Sequence, residues 1–216
     1  MVLPKIRALV EGRLSDPFEV LGPHRTSHGT VIIRAYLPYS KRVWIITDGK
    51  REELKETMPG LFEIELESLE HKHYKLKALN FDDTSEEFID PYSFRKPVLG
   101  DLDLHLINEG THHRIYEKLG SHILEIDGIR GVHFALWAPN AERISVIGDF
   151  NRWDSRRHMM RPLGESGIWE IFIPGISEGT MYKYEIRSRL HNNIIRIKSD
   201  PYAFYSCLLY TSDAAD

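Results

Sequence analysis

Three acidic pairs, two close pairs of histidines and one tryptophan in a polar run are the places where this chain could do chemistry. Neighbouring carboxylates can serve as acid and base, but Glu52-Glu53, Asp82-Asp83 and Glu86-Glu87 lie in charged, turn-like stretches and read as solvated surface. His71 with His73, and His112 with His113, have neither the i, i+4 spacing of helical ligand pairs nor a cysteine companion, so no metal is expected. No nucleophile motif, phosphate-binding glycine loop or HExxH is found in the sequence, and we expect no catalytic residue and no cofactor.

The tryptophan is the better lead. "GDFNRWD", residues 148–154, places Trp153 among Gly, Asp, Asn and Arg in a predicted loop, whereas Trp44, Trp137 and Trp169 sit in strand-like runs and are expected in cores. A pyranose lays its C–H groups on an aromatic face and needs donors and acceptors at the ring edge. Asn151, Asp154 and Lys183 are chemically suited to supply them. The carbohydrate-binding candidates are therefore Trp153, Lys183, Asn151 and Asp154. The alternatives are Trp153 as a docking or packing plug and Lys183 as an ordinary strand residue.

Those residues must be held by a fold, and the chain repeats itself. "VLGPH" at 20–24 resembles "KLGSH" at 118–122, offset 98, and "VIIRAYLPYSKRVWII" from 31 resembles "VHFALWAPNAERISVI" from 132, offset 101. "LFEI" at 61–64 answers "IWEI" at 168–171, offset 107; "YKLK" at 74–77 answers "YKYE" at 182–185, offset 108; "DPYSF" at 90–94 answers "DPYAF" at 200–204, offset 110. The offsets only rise, so the second copy has gained residues in loops, where insertions are tolerated. The largest gain falls across GDFNRWD.

Each copy reads as short Val/Ile/Phe/Tyr-rich strands: 31–37, 43–47, 61–66 and 73–79, then 132–138, 143–148, 168–173, 180–187 and 193–198. The pattern predicts an all-β chain of two tandem immunoglobulin-like β-sandwiches, residues 1–100 and 101–206, with short linking helices. One helix is predicted from Pro4 toward Leu14 and another from Asn108 or Thr111 to Leu119, with 95–110 as a linker that packs through its leucines. A (β/α)₈ barrel needs alternating helices and spare length that this sequence lacks, so a catalytic barrel is absent from this chain.

Composition narrows the partners. Lys and Arg number 28 against 32 Asp and Glu with no basic stretch, which argues against nucleic acid. The apolar runs are far short of the ~20 residues that span a bilayer, so no membrane partner is expected and the cytoplasm is the expected location.

"FALWAPNAERISVIGDFNRWDSRRHMM", with "GIWEIFIPG", "YKYEI" and "SDPYAF", resembles family 48 carbohydrate-binding modules, and the first copy, with "DPFEVLGPH" and "DPYSF", resembles the extra N-terminal domain of bacterial 1,4-α-glucan branching enzymes. The resemblance implies the non-catalytic N-terminal portion of such an enzyme, a glycosyltransferase that cuts α-1,4 bonds and forms α-1,6 branches in glycogen. It implies α-1,4-glucan, as glycogen or maltooligosaccharide, as the partner, together with docking on a catalytic barrel beyond residue 206 that carries the reacting carboxylates. The fragment itself is expected to be inactive. In a related glycan-binding module, that of the AMP-activated kinase β-subunit, the loop tryptophan, a strand lysine and a second hairpin tryptophan hold the sugar. Trp153 and Lys183 match the first two, while the hairpin "RSRLHNNIIRIK" offers only His191 and aliphatics. The alternative is a stand-alone glucan-binding or regulatory module. The tail "CLLYTSDAAD", 207–216, reads as a translated sequencing adapter.

Overall fold

The computed structural model describes residues 2–47, 49–189 and 194–203; His191 and the 207–216 tail lie outside them. After helix α1 (Val2–Val10), the first copy forms β1 (Gly22–Arg25), β2 (Val31–Tyr36), β3 (Ser40–Thr47), β4 (Lys50–Met58), β5 (Leu61–Leu66), β6 (Lys75–Asn80) and β7 (Ser85–Ile89). They pair antiparallel in the order β1-β2-β5-β4-β3-β6-β7. Strand β4 passes between the two layers of the sandwich, since its residues 50–54 pair with β3 and its later residues with β5. Ile33, Val43, Ile45, Leu54, Phe62 and Leu76 fill the space between the layers.

The second copy follows helix α2 (Asp101–Asn108) with β8 (Gly120–Ile126), β9 (Ile129–Trp137), β10 (Ala141–Gly148), β11 (Arg161–Pro162), β12 (Ile168–Pro174), β13 (Tyr182–Ser188) and β14 (Ile195–Lys198). One sheet runs β11-β12-β9-β8 and the other β10-β13-β14. A bridge from Ser145 to Met159, flanked by Val146 N–H to His158 O (2.9 Å) and Met160 N–H to Ile144 O (2.8 Å), joins them. With that bridge standing for the first half of β4, the strand order of the two copies is the same.

Equivalent side chains do equivalent work. Gly22 and Gly120 open β1 and β8 with φ of +78° and +97°, and a Cβ on either would strike the tyrosine of a DPY motif, Tyr92 or Tyr202. Asp90 accepts the Tyr92 amide at 3.0 Å and the Tyr74 hydroxyl, while Asp200 accepts the Tyr202 amide at 2.8 Å and the hydroxyls of Tyr182 and Tyr184. Each DPY turn is thereby locked to its own sandwich.

Three expectations need correction. The second helix lies at 101–108, inside the expected linker, because Asp101 and Asp103 favour a helix N-terminus and Leu104 and Ile107 pack against Leu99, Leu119 and Ile168; the stretch expected to be helical holds only a 3₁₀ turn at 115–117. Trp137 is 56% exposed rather than in a core. Period-2 alternation sends Val132, Phe134 and Leu136 inward and Trp137 out at the strand's end. Trp44 is buried not in a core but under two guanidinium groups, those of Arg51 and Arg42 at 4.0 and 4.8 Å from its ring. Trp169 is in the core, as expected.

The copies share one apolar cluster. Ile6, Leu9, Phe18, Leu21, Tyr36 and Tyr92 of the first run into Ile144, Val146, Met159, Trp169 and Tyr184 of the second. Burying side chains of this size contributes about 1.5–3 kcal/mol each, which holds the two sandwiches together.

Candidate functional site

Strand β10 ends at Gly148, where a 3₁₀ turn, 149–151, begins the loop that sets Trp153. The loop is built around Asn151, which is 1% exposed. Its Oδ1 accepts the Gly148 amide at 3.0 Å, and its Nδ2 donates to Val146 O and to His158 Nδ1, both at 2.8 Å. Burial holds His158 neutral, with its pKa pushed down to about 3, so Nδ1 is free to accept. Asn151, read from sequence as a sugar ligand, is instead the interior brace of the loop, because both polar atoms of its side chain are already bonded inside.

Past that brace the chain turns back on itself through two left-handed residues, Arg152 and Trp153, each with φ of 58°. Non-glycine residues there cost on the order of 1–3 kcal/mol each and persist where the surroundings dictate them. Here Trp153 N–H donates to Gly148 O at 2.9 Å and Asp154 N–H to Asn151 O at 3.1 Å. The Trp153 indole is half-buried, and its Nε1 donates to Asp149 Oδ1 at 2.8 Å, which fixes the plane of the ring. Asp154 is held by Arg156, through the backbone N–H at 2.9 Å and a two-pronged guanidinium contact at 2.9 and 2.8 Å. Burial alone would raise the Asp154 carboxyl, but those bonds hold it below the usual range.

Lys183 lies on β13 opposite Ile147, one register step from the Gly148–Tyr182 pair where the loop begins. Its neighbour Tyr184 is in the core, so Lys183 stands on the outer face of that sheet. The structure therefore puts Trp153 and Asp154 on one braced loop and Lys183 on the strand beside its entry, with Asn151 turned inside.

The same loop grips the first sandwich. Arg152 donates to Asp82 and to Thr84, each at 2.8 Å, and stacks over Tyr39 at 4.5 Å. Thr84 and Arg152 hold the Asp82 carboxyl well below its ordinary pKa. Arg157 pairs with Glu86 at 2.7 Å and lies 5.0 Å over Phe88. Sequence reading took Asp82-Asp83 and Glu86-Glu87 for solvated pairs, since nothing local announces a partner some seventy residues away. A second joint lies on the outer face of the β12 sheet, where Glu170 is fully buried. It accepts from His133, Arg161 and the Val98 and Leu99 amides, while Arg161 also donates to the carbonyls of Phe94, Arg95 and Lys96. Burial would raise the Glu170 carboxyl, but the hydrogen bond and charge of His133 and the charge of Arg161 bring it below normal.

No helix among the described residues is long and apolar enough to cross a membrane. A tandem of β-sandwiches, the second presenting a braced aromatic loop, is the class that fold and site define. Residues 118–203 match carbohydrate-binding module 48, the isoamylase N-terminal domain, and residues 3–92 match the N-terminal domain of the alpha-1,4-glucan branching enzyme GlgB. The 1,4-alpha-glucan branching enzyme GlgB of Paramagnetospirillum magneticum is 49% identical over 200 residues, 92% of this chain and 26% of the relative. That of Thermosynechococcus vestitus is 48% identical over 208 residues, 93% of this chain and 26% of the relative. Among solved structures, a pullulanase from Anoxybacillus sp. LM18-11 aligns with 84% of this chain and 25% of its own, at 15% identity and a TM-score of 0.32. The chain thus spans about a quarter of the length of the curated relatives it matches. Its first copy is thus similar to the N-terminal domain of the branching enzyme GlgB, and its second to carbohydrate-binding module 48.

Proposed function

We propose that this chain is the non-catalytic N-terminal portion of a cytoplasmic 1,4-α-glucan branching enzyme, and that it holds α-glucan near a catalytic barrel on which it docks. The observation that carries the glucan contact is the half-buried Trp153 ring, set by the Asn151–His158 brace and the Asp149 hydrogen bond in a family 48 module. Lys183 and the free lone pairs of Asp154 supply ring-edge hydrogen bonding, and the single aromatic face makes the contact weak. Weak contact suffices when tethered, since linkage raises avidity by about 10² to 10⁴. Docking is supported by apolar side chains left outside: Leu102, Trp137, Ile195 and Ile197 are each more than half exposed.

Retaining transfer needs a carboxylate nucleophile and a separate acid, which this reading places on the barrel. The purified chain is therefore expected to form no α-1,6 linkages on amylose. Calorimetric titration with maltoheptaose tests the binding: Trp153→Ala is expected to weaken it about tenfold or more, and equal affinity in the two proteins would make Trp153 a packing residue.

A further inference from the structure

A cleft of about 370 Å³ lies between the two sandwiches, beneath the inserted loop. Its apolar walls are Phe88 from β7, Phe150 from the loop, and the end of β12 with its turn, Ile173 to Ile176. The cleft exists because the domains are fixed across it by Arg157 to Glu86 at 2.7 Å. Its rim carries a second pair, Lys75 to Glu87 at 3.0 Å, with both side chains about half exposed.

Two carboxylates face one guanidinium and one ammonium, so the rim has donors and acceptors but no net charge. An anion or a cation would have to break a pair to enter. A neutral polyol need not, because its hydroxyls can donate to the outer lone pairs of Glu86 and Glu87 and accept from Lys75. The volume lies toward the lower end of small-ligand sites, about 300–1,000 Å³, which suits one or two sugar rings and not a long chain. Phe88 and Phe150 offer apolar surface for the ring C–H groups. We propose that this inter-domain cleft is a second saccharide contact, distinct from Trp153, that takes one or two rings of a neutral glucan. The identity of the sugar rests on the glucan reading above.

The test is chemical-shift mapping of the whole chain titrated with maltose, in wild type, Glu87→Gln and Trp153→Ala. Glu87 is a surface residue whose replacement leaves the fold intact. Saturable shifts at 86–89 and 173–176 are expected. Glu87→Gln should weaken that cluster about three- to tenfold without altering the response at 152–154, and Trp153→Ala should leave the cleft response in place. Shifts confined to 152–154 and 183, unaffected by Glu87→Gln, would overturn the cleft and leave the Trp153 contact standing. Shifts confined to the cleft would uphold it and remove Trp153 instead. No saturable shift at 86–89 in any of the three proteins would overturn it outright.

Discussion

The β3–β4 and β10–β11 connections leave equivalent strands at equivalent ends of the two sandwiches, and they finish differently. In the first copy only residues 48 and 49 separate Thr47 from Lys50, and β4 runs straight back along β3. The second copy inserts six residues by the offset change, and the chain leaves Gly148 to rejoin the sheet at Met159. Lengthening a loop costs little chain entropy, on the order of 0.6 kcal/mol per doubling. Building one that holds a ring still costs more, and the insertion brings its own buried brace, Asn151 with His158, and its own anchors on the other domain, Arg152 and Arg157. The insertion thus braces its own aromatic loop through one pair of residues and clamps the two domains through another.

A second contrast concerns Glu63 and Glu170, which occupy the same place in the repeat at offset 107. Glu63 is part-exposed and paired with Arg34, whereas Glu170 is fully buried under the linker. The largest effect predicted is therefore Glu170→Ala, which strands Arg161 and His133 and should lower unfolding stability by about 3–5 kcal/mol; Glu63→Ala leaves the buried Arg34 without its partner but at a site water can reach, and should cost less, about 1–2 kcal/mol. Equal losses by chemical denaturation would erase the contrast between the copies.

Removing the brace comes next. Asn151→Ala leaves the Gly148 amide, Val146 O and His158 Nδ1 without a partner and should cost up to about 3 kcal/mol, with broadened Trp153 indole resonances as the local sign. Acid acts on the same brace. The folded-state pKa of His158 is depressed to about 3, so its contribution is complete above the unfolded value near 6.5 and is lost as pH falls from there toward 3. The loss by pH 5 is about 2 kcal/mol, and a His158→Gln variant should flatten that slope. Asp90 runs the other way. Burial raises it to about 6, so its contribution is full below its unfolded pKa and lost as pH rises through 6. The smallest effect is Arg152→Ala, an exposed pair worth about 0–1 kcal/mol, visible as looser inter-domain couplings more than as lost stability.

Much of this was legible in the sequence. The rising offsets gave the repeat, and the structure brings together in each copy the glycine and the DPY motif that the repeat aligns. Strand β4 was not legible, because "KREELKETM" buries only Leu54 and has no apolar alternation; its two flanking strands impose the conformation. Trp137 was misread because the face opposite Val132, Phe134 and Leu136 is itself covered at His133 and Ala135, and the chain opens to solvent only at the end of the strand. Asn151 was chosen for its chemistry, but a short polar side chain in a tight turn is equally suited to bonding its own backbone. The inter-domain grips of Arg152 and Arg157 leave no local trace at all.

On the proposed reading the second-copy insertion, and not the sandwich as such, makes the Trp153 contact with glucan. Replacing 149–156 with residues 48–49 of the first copy and measuring maltoheptaose affinity in the swapped chain separates the two. Binding about tenfold weaker or more is expected, any remainder being the inter-domain cleft, while far-ultraviolet circular dichroism stays that of an all-β protein. Unchanged affinity in a folded swap would contradict it.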